Sequence, residues 1–237
     1  MAIEEDKLIE IALRHLSLVK NYNPYANYEG VNNKNDFIKV IGADPAFQNV
    51  GFATEKYVIA RVGGNLITSL HRKLGDMYEE MFQYMLRERY SVDDSDFHYS
   101  VEVSIGDRSQ TRSTDGLIRK SKFKSIKLPL LKEDWAASEG IAFELRSCYQ
   151  IGDSKRIQAD WDMSLALKAQ NIVPVMLITC STSLKSPVVR LRRSWNLFEG
   201  NETFEFISDL MDFDLLGFMS KNKDTISAPV SDLMASL

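Results

Sequence analysis

The chain has 237 residues, of which 44% are hydrophobic and 26% are charged, and these proportions are typical of a soluble globular protein. It contains no apolar run near the roughly 18 to 20 residues that a membrane-spanning helix needs, and its acidic start lacks the basic and apolar segments of a secretory signal. Two cysteines are too few for a disulfide framework or a zinc site, so a cytoplasmic location is expected. The formal net charge of −4 argues against a protein that coats nucleic acid indiscriminately.

The first part of the chain is predicted to be largely helical. Residues 3–19 carry apolar side chains at helical spacing, which predicts an amphipathic helix. The apolar run 57–62 ends at two glycines and predicts a strand. A second helix is predicted over residues 65–89, with Asn65 as its N-cap, because leucines and methionines then recur on or near one face.

The middle of the chain is predicted to form strands separated by turns. Residues 98–105 alternate between apolar and polar side chains, as in a half-buried strand, and residues 106–113 fit a polar, hairpin-like connection. Asp115 begins an Asp-Gly turn signal directly before an apolar strand. Residues 140–146 predict a short apolar strand that contains Glu144.

The last part is predicted to begin with a strand–helix–strand crossover. A helix over residues 154–169 precedes a buried strand over residues 172–180, and such a connection is expected to be right-handed. Residues 188–195 alternate between apolar residues and arginine, which predicts another strand. A helix is predicted over residues 202–210, and residues 221–237 are predicted to be a loosely held tail with one short helical turn.

Two acidic residues carry the functional prediction. Asp115 and Glu144 are predicted on neighbouring strands, where their side chains would lie about 4 Å apart across the ladder. Two carboxylates so close repel each other unless a divalent cation joins them, and Mg²⁺ prefers one or two carboxylates plus phosphate oxygens and water. The pair therefore predicts a metal-dependent, phosphodiester-cleaving site. A simple turn residue at Asp115 and a structural salt bridge between Glu144 and Arg146 are the alternatives.

The order of these residues also resembles a known enzyme core. Asp115-Gly-Leu-Ile is followed by Glu144-x-Arg146 in a strand, then by a helix and an apolar strand. This pattern resembles the core of the PD-(D/E)xK nucleases, and type II restriction endonucleases in particular. Thr114 stands where that family usually has proline, and Arg146 stands where it usually has lysine. The resemblance covers roughly residues 65–219.

The fold expected from these patterns is α/β. It consists of a central mixed β-sheet of about five strands flanked by helices, as in restriction endonucleases. The catalytic domain is predicted over residues 35–220. Residues 1–34 would form an N-terminal helical extension, and residues 221–237 the C-terminal tail.

The resemblance implies a set of metal ligands. Asp115 and Glu144 would bind Mg²⁺, and the carbonyl oxygen of Leu145 would add a third ligand. Many restriction endonucleases carry a glutamate near the metal on the helix that precedes the catalytic strands, and Glu79 is the candidate for that position. The alternative is that Glu79 is a solvated helix acid, bonded to Gln83 or loosely paired with Arg87.

The family's lysine has no direct counterpart in this chain. In the family, that lysine is thought to generate or position the nucleophile. Arg146 can stabilise charge but is a poor base, because the pKa of a guanidinium is too high. Lys155, at the start of the next helix, is the other candidate for a catalytic cation. In the same helix, Arg156 and Asp160 have the spacing of an ordinary helix pair.

The expected function is that of a Mg²⁺-dependent, sequence-specific endonuclease acting on double-stranded DNA as a homodimer. Arginine suits both phosphates and guanine edges, and phosphate contacts make the affinity depend on salt. The residues expected to contact DNA are Arg108, Arg112, Arg119, Lys120, Lys122, Lys124, Arg190, Arg192 and Arg193. Two alternatives remain open: a catalytically inactive nucleic-acid-binding protein on the same fold, and a protein-interaction subunit in which Asp115 and Glu144 are structural.

Overall fold

The computed structural model describes residues 3–19, 22–26, 28–105, 108–126 and 131–236. The α-helices in these ranges are α1 (Glu5–Ser17), α2 (Lys34–Ala43), α3 (Pro45–Gln48), α4 (Glu55–Tyr90), α5 (Asp94–Phe97), α6 (Glu133–Ala136), α7 (Ser154–Ala169), α8 (Lys185–Leu191), α9 (Asn201–Met211), α10 (Leu215–Lys221) and α11 (Lys223–Ser236). The strands are β1 (Ser100–Ile105), β2 (Arg108–Ser113), β3 (Gly116–Arg119), β4 (Gly140–Arg146), β5 (Ile172–Ile178) and β6 (Asn196–Glu199). Among these residues, no helix is both long enough and apolar enough to cross a membrane.

Four strands form one mixed sheet in the order β3-β4-β5-β6. Strand β3 is antiparallel to β4, whereas β4, β5 and β6 are mutually parallel. Strands β1 and β2 pair separately as an antiparallel hairpin. The prediction of an α/β protein with a mixed sheet flanked by helices is therefore confirmed, with four strands in the central sheet.

The two faces of the sheet pack against different helices, and this is possible because side chains alternate along each strand. One face presents Phe143 of β4, whose ring lies 5.1 Å from that of Phe82 in α4. The other face presents Ala142 and Met176, which share a buried cluster with residues of α7 and of the β1–β2 hairpin. Glu144 shares its face with Ala142, so it points toward α7.

The strand predicted over residues 57–62 is wrong, because these residues form the first turns of α4. The N-cap of this helix is Thr54, whose hydroxyl accepts a hydrogen bond from the first turn, and not Asn65. Val58 is fully buried beside Phe37 of α2. A short apolar run fits a strand or a helix equally well, and here packing against α2 decides for the helix.

Three further predictions are corrected near sheet edges and at the C-terminus. Residues 188–195 do not form a strand: α8 ends at Leu191, and a turn leads to β6, an edge strand that the sequence reading missed. Residues 108–113 are not a loop but β2, while residues 106–107 lie outside the described ranges. The predicted loose tail contains the 14-residue helix α11, which packs on α1.

Candidate functional site

Strands β3 and β4 bring the two predicted carboxylates together. Gly116 pairs with Phe143, and the backbone N–H of Asp115 donates to the carbonyl of Phe143 at 2.9 Å. Continuing this register by one residue places Asp115 opposite Glu144. The Oδ2 atom of Asp115 accepts a hydrogen bond from the N–H of Leu145 at 2.7 Å. The backbone of β4 therefore fixes the Asp115 carboxylate beside Glu144.

Arg146 lies between two buried carboxylates. Its Nη2 atom forms ion pairs with Glu144 and, at 2.7 Å, with Oδ1 of Asp160. Its Nη1 atom donates to the carbonyl of Leu145 at 2.9 Å. The hydroxyl of Tyr149 donates to Oδ2 of Asp160 at 2.5 Å. The structural salt bridge that the sequence left open as an alternative is thus present, with Asp160 as a second anion.

Asp160 is the site residue that the sequence reading missed. The predicted pair with Arg156 is wrong: Arg156 lies 3.8 Å from Asp153, while Asp160 is 3% exposed and faces Arg146. A signal was present in the helical spacing. Asp160 recurs with the buried residues of α7, which are Met163, Ser164 and Leu167, and a charged residue on a buried face needs a partner.

Burial and crowding of like charges raise the pKa values of the carboxyls. Burial raises the pKa of Glu144 well above its ordinary value; Arg146 opposes this shift, while Asp115, Asp160 and Glu79 add to it. Burial also raises the pKa of Asp115, against the opposing effects of Arg146 and of the backbone N–H that its side chain accepts. Within the described chain, Oε2 of Glu144 is buried and has no hydrogen-bond partner. One guanidinium therefore balances more than one buried carboxylate.

Glu79 approaches this cluster from α4. Its Oε1 atom accepts a hydrogen bond from Gln83 at 3.2 Å, and Gln83 also donates to the carbonyl of Asp115 at 3.2 Å. Burial, and next the charge of Asp115, raise the pKa of Glu79 to about 7. The bond to Gln83 that the sequence named as the alternative is therefore formed. The second hydrogen bond of Gln83, to the carbonyl of Asp115, connects α4 to the turn that carries Asp115.

Replacing Glu79 by glutamine is expected to change how stability depends on pH. Because its pKa rises from about 4.3 in an unfolded chain to about 7, the folded protein binds the proton more tightly. Stability from this group is present at low pH and is lost as pH rises through 7. The melting temperature of Glu79→Gln minus that of the unmodified protein should therefore be larger at pH 8 than at pH 5. Thermal melts at both values test this, with the exposed Glu10→Gln as control; an equal offset at both would contradict it.

A cleft of about 390 Å³ opens beside the cluster. It lies between α4, the end of β4 and the start of α7, and its lining residues are Thr68, His71, Arg72, Gly75, Asp76, Glu79, Leu145, Arg146, Ser147, Cys148, Gln150, Asp153 and Arg156. At Gly75 an added Cβ would lie 3.7 Å from Oγ of Ser147, an ordinary contact, so the helix passes close to β4 here without requiring glycine for space. Lys155 is exposed, whereas Arg156 lines the cleft.

Several of the residues predicted to bind DNA are engaged within the protein. Arg119 pairs with the buried Asp96, with Nη2 and Oδ1 2.5 Å apart. Lys120 lies 3.2 Å from Glu139. The remaining contacts are Arg112 to Gln110, Arg190 to Gln158, and Arg192 to the carbonyl of Leu197 and to Glu202. These side chains have structural partners that a nucleic acid would have to replace or share.

The other three basic positions with described side chains differ in exposure. Lys124 and Arg193 are exposed, and Lys122 is half-buried. The side chain of Arg108 lies outside the described part of the chain. Among the residues that the structure describes, no group of three or more His, Cys, Asp or Glu side chains is arranged to hold a metal ion. A cation at this site would therefore depend on two carboxylates together with other oxygens.

No protein-family model and no curated protein sequence matches the chain. The function of the chain is therefore inferred from side-chain geometry and charge.

Proposed function

We propose that the protein is a Mg²⁺-dependent, sequence-specific endonuclease of the type II restriction kind, which hydrolyses phosphodiester bonds of double-stranded DNA as a homodimer. The observation that carries the proposal is the pair of carboxylates that the adjacent strands β3 and β4 bring side by side. Asp115 lies opposite Glu144, and Oε2 of Glu144 is buried with no hydrogen-bond partner among the residues that the structure describes. A buried, unpartnered carboxylate oxygen next to a second carboxylate is a favourable position for a divalent cation.

The residues present fit Mg²⁺. Asp115 and Glu144 would hold it, because Mg²⁺ takes one or two carboxylates and completes its shell with water and phosphate oxygens. The carbonyl of Leu145 already accepts a hydrogen bond from Arg146, but a carbonyl oxygen has a second lone pair and could add a ligand. When bound, the ion would polarise the phosphodiester and lower the pKa of a bound water.

The side chains around this pair would stabilise the charge that develops on the phosphate and would orient the attacking water. Burial lowers the pKa of Arg146, but Glu144 and Asp160 outweigh this effect, so its pKa lies well above the ordinary value. The guanidinium therefore stays charged and stabilises the negative charge that develops on the phosphate, but it accepts no proton. Asp160 holds Arg146 through an ion pair, and the hydroxyl of Tyr149 donates to Asp160 in turn. Glu79 would orient the attacking water from α4.

One observation favours a second function, that of a nucleic-acid-binding protein without cleavage. Arg146 is paired with both Glu144 and Asp160, and an arginine in place of the family's lysine supplies no base. A protein of this kind would bind nucleic acid with or without divalent metal and would leave it intact.

Incubation with a long unmethylated DNA separates the two functions. With Mg²⁺ we expect discrete fragments, and with Ca²⁺ or a chelator none. Glu144→Gln keeps the size of the side chain but removes its charge, and it should leave the DNA intact under every condition. DNA that stays intact with the unmodified protein but is retarded on a gel would refute the nuclease and support the binding protein. Absence of both cleavage and retardation would refute both.

A further inference from the structure

The cleft extends along α4, and besides Arg146 its wall carries three basic side chains. His71 and Arg72 come from α4, and Arg156 comes from the first turn of α7. Arg72 precedes Glu79 by about two helical turns, which is roughly 10 Å along the helix axis. Arg72 therefore lines the same cleft as Glu79 but at a distance from it along α4.

The three acidic residues that line the cleft are already engaged, and one of them, Glu79, accepts a hydrogen bond from Gln83. The Oδ2 atom of Asp76 lies 3.5 Å from Nζ of Lys73, so a cation of the same helix balances the charge of Asp76. Asp153 accepts a hydrogen bond from the N–H of Gln150 at 2.7 Å and lies 3.8 Å from Arg156. These contacts leave the positive charge of Arg72 and part of that of Arg156 available to an anion in the cleft.

His71 adds a specific polar atom to this wall. Its Nδ1 atom is buried and has no hydrogen-bond partner within the described residues. A buried polar atom without a partner costs about 1–3 kcal/mol, so such atoms usually find a partner in a ligand or in water. A ligand oxygen in the cleft would satisfy it.

We propose that His71, Arg72 and Arg156 bind a backbone phosphate of the nucleic acid that neighbours the phosphodiester to be cleaved. The guanidinium groups would contact the phosphate oxygens, for which their planar fork is suited, and the Nδ1–H of His71 would donate to one of them. This inference rests on the proposed function, because it requires that the cleft admits nucleic acid. The phosphate contacts would then lie on α4 and α7, at residues that were not predicted from the sequence to bind DNA.

The salt dependence of DNA binding tests the two arginines. Affinity for a mixed-sequence duplex is measured by fluorescence anisotropy in Ca²⁺ over a range of salt concentrations. Arg72→Gln and Arg156→Gln should each weaken binding and reduce the slope of log affinity against log salt by about 1, the effect of losing one phosphate contact. The matched controls remove an exposed charge from the same two helices: Lys56→Gln in α4 and Lys168→Gln in α7 should leave the slope unchanged.

The histidine is tested in the same assay. His71→Ala should weaken binding about ten-fold, as expected for a lost hydrogen bond to a charged group, while His71→Asn, which keeps a donor near the position of Nδ1, should retain most of the affinity. Thermal melts check that each variant folds. One contrary result is that the unmodified protein binds DNA while the cleft variants change that binding no more than the control variants do. This result would overturn the inference and leave the proposed function standing. Absence of any DNA binding by the unmodified protein would overturn both.

Discussion

Replacing Arg146 by methionine is expected to destabilise the fold by about 3–5 kcal/mol near neutral pH. Methionine fills much of the volume of the arginine but leaves Glu144 and Asp160 without their shared cation. Both carboxylates are only 3% exposed, and a buried charge that has lost its partner is strongly unfavourable. Urea denaturation at pH 7.5 measures the loss.

The same variant should recover part of its stability on acidification. Burial already raises the pKa of Glu144, and removal of the guanidinium that opposes this shift will raise it further. The folded state then binds a proton more readily than the unfolded chain, so the deficit shrinks as pH falls toward 5. Arg156→Met removes an arginine whose side chain is 56% exposed and should cost no more than about 0.5 kcal/mol. If the two variants lose similar stability, the buried cluster does not depend on Arg146.

Replacing Asp115 by asparagine is expected to separate activity from stability. The amide keeps a carbonyl oxygen that can accept from the N–H of Leu145, so the turn retains its hydrogen bond. Removing the charge also relieves repulsion on Glu144, so above pH 4 the variant should be at least as stable as the unmodified protein. A neutral amide is a much poorer ligand for Mg²⁺, and cleavage should fall by roughly 10³-fold or more.

Asp115→Ala provides the comparison. It removes the same charge together with the acceptor for Leu145, so it should lose cleavage to a similar extent and also lose about 1–3 kcal/mol of stability. Cleavage rates in Mg²⁺ and urea denaturation midpoints, measured on the same preparations, give both quantities. An Asp115→Asn variant that cleaves at a near-normal rate would show that this carboxylate is a turn residue and nothing more.

The sequence predicted those parts of the site that depend on local pattern. The Asp-Gly turn before an apolar strand located Asp115, and the short apolar strand around Glu144 located β4. The helix α7 was predicted with the bounds that the structure gives, Ser154–Ala169, because a turn precedes it and a buried strand follows it. Once β3 and β4 pair, their register alone places the two carboxylates side by side.

Other parts depended on contacts between residues far apart in sequence. Besides Glu144, Arg146 pairs with Asp160; the spacing within α7 marks Asp160 as buried, but its partner is set by the packing of α7 against the sheet. The arginine-rich stretch around Arg190 alternates like a strand, yet burial of Val188 and Leu191 on one side favours the helix α8. Arg119 was predicted to bind DNA because no local sequence pattern predicts its contact with the buried Asp96.

The length of α4 has a mechanical consequence. With 36 residues it extends for about 54 Å, and it is anchored at both ends. Val58 fixes its beginning in the small helical cluster around α2, and Phe82 fixes its end against the sheet. His71 lies between these anchors, and no loop interrupts the helix. Because the helix is continuous between the two anchors, a displacement of the cluster around α2 would also displace His71 and the part of the cleft that α4 lines.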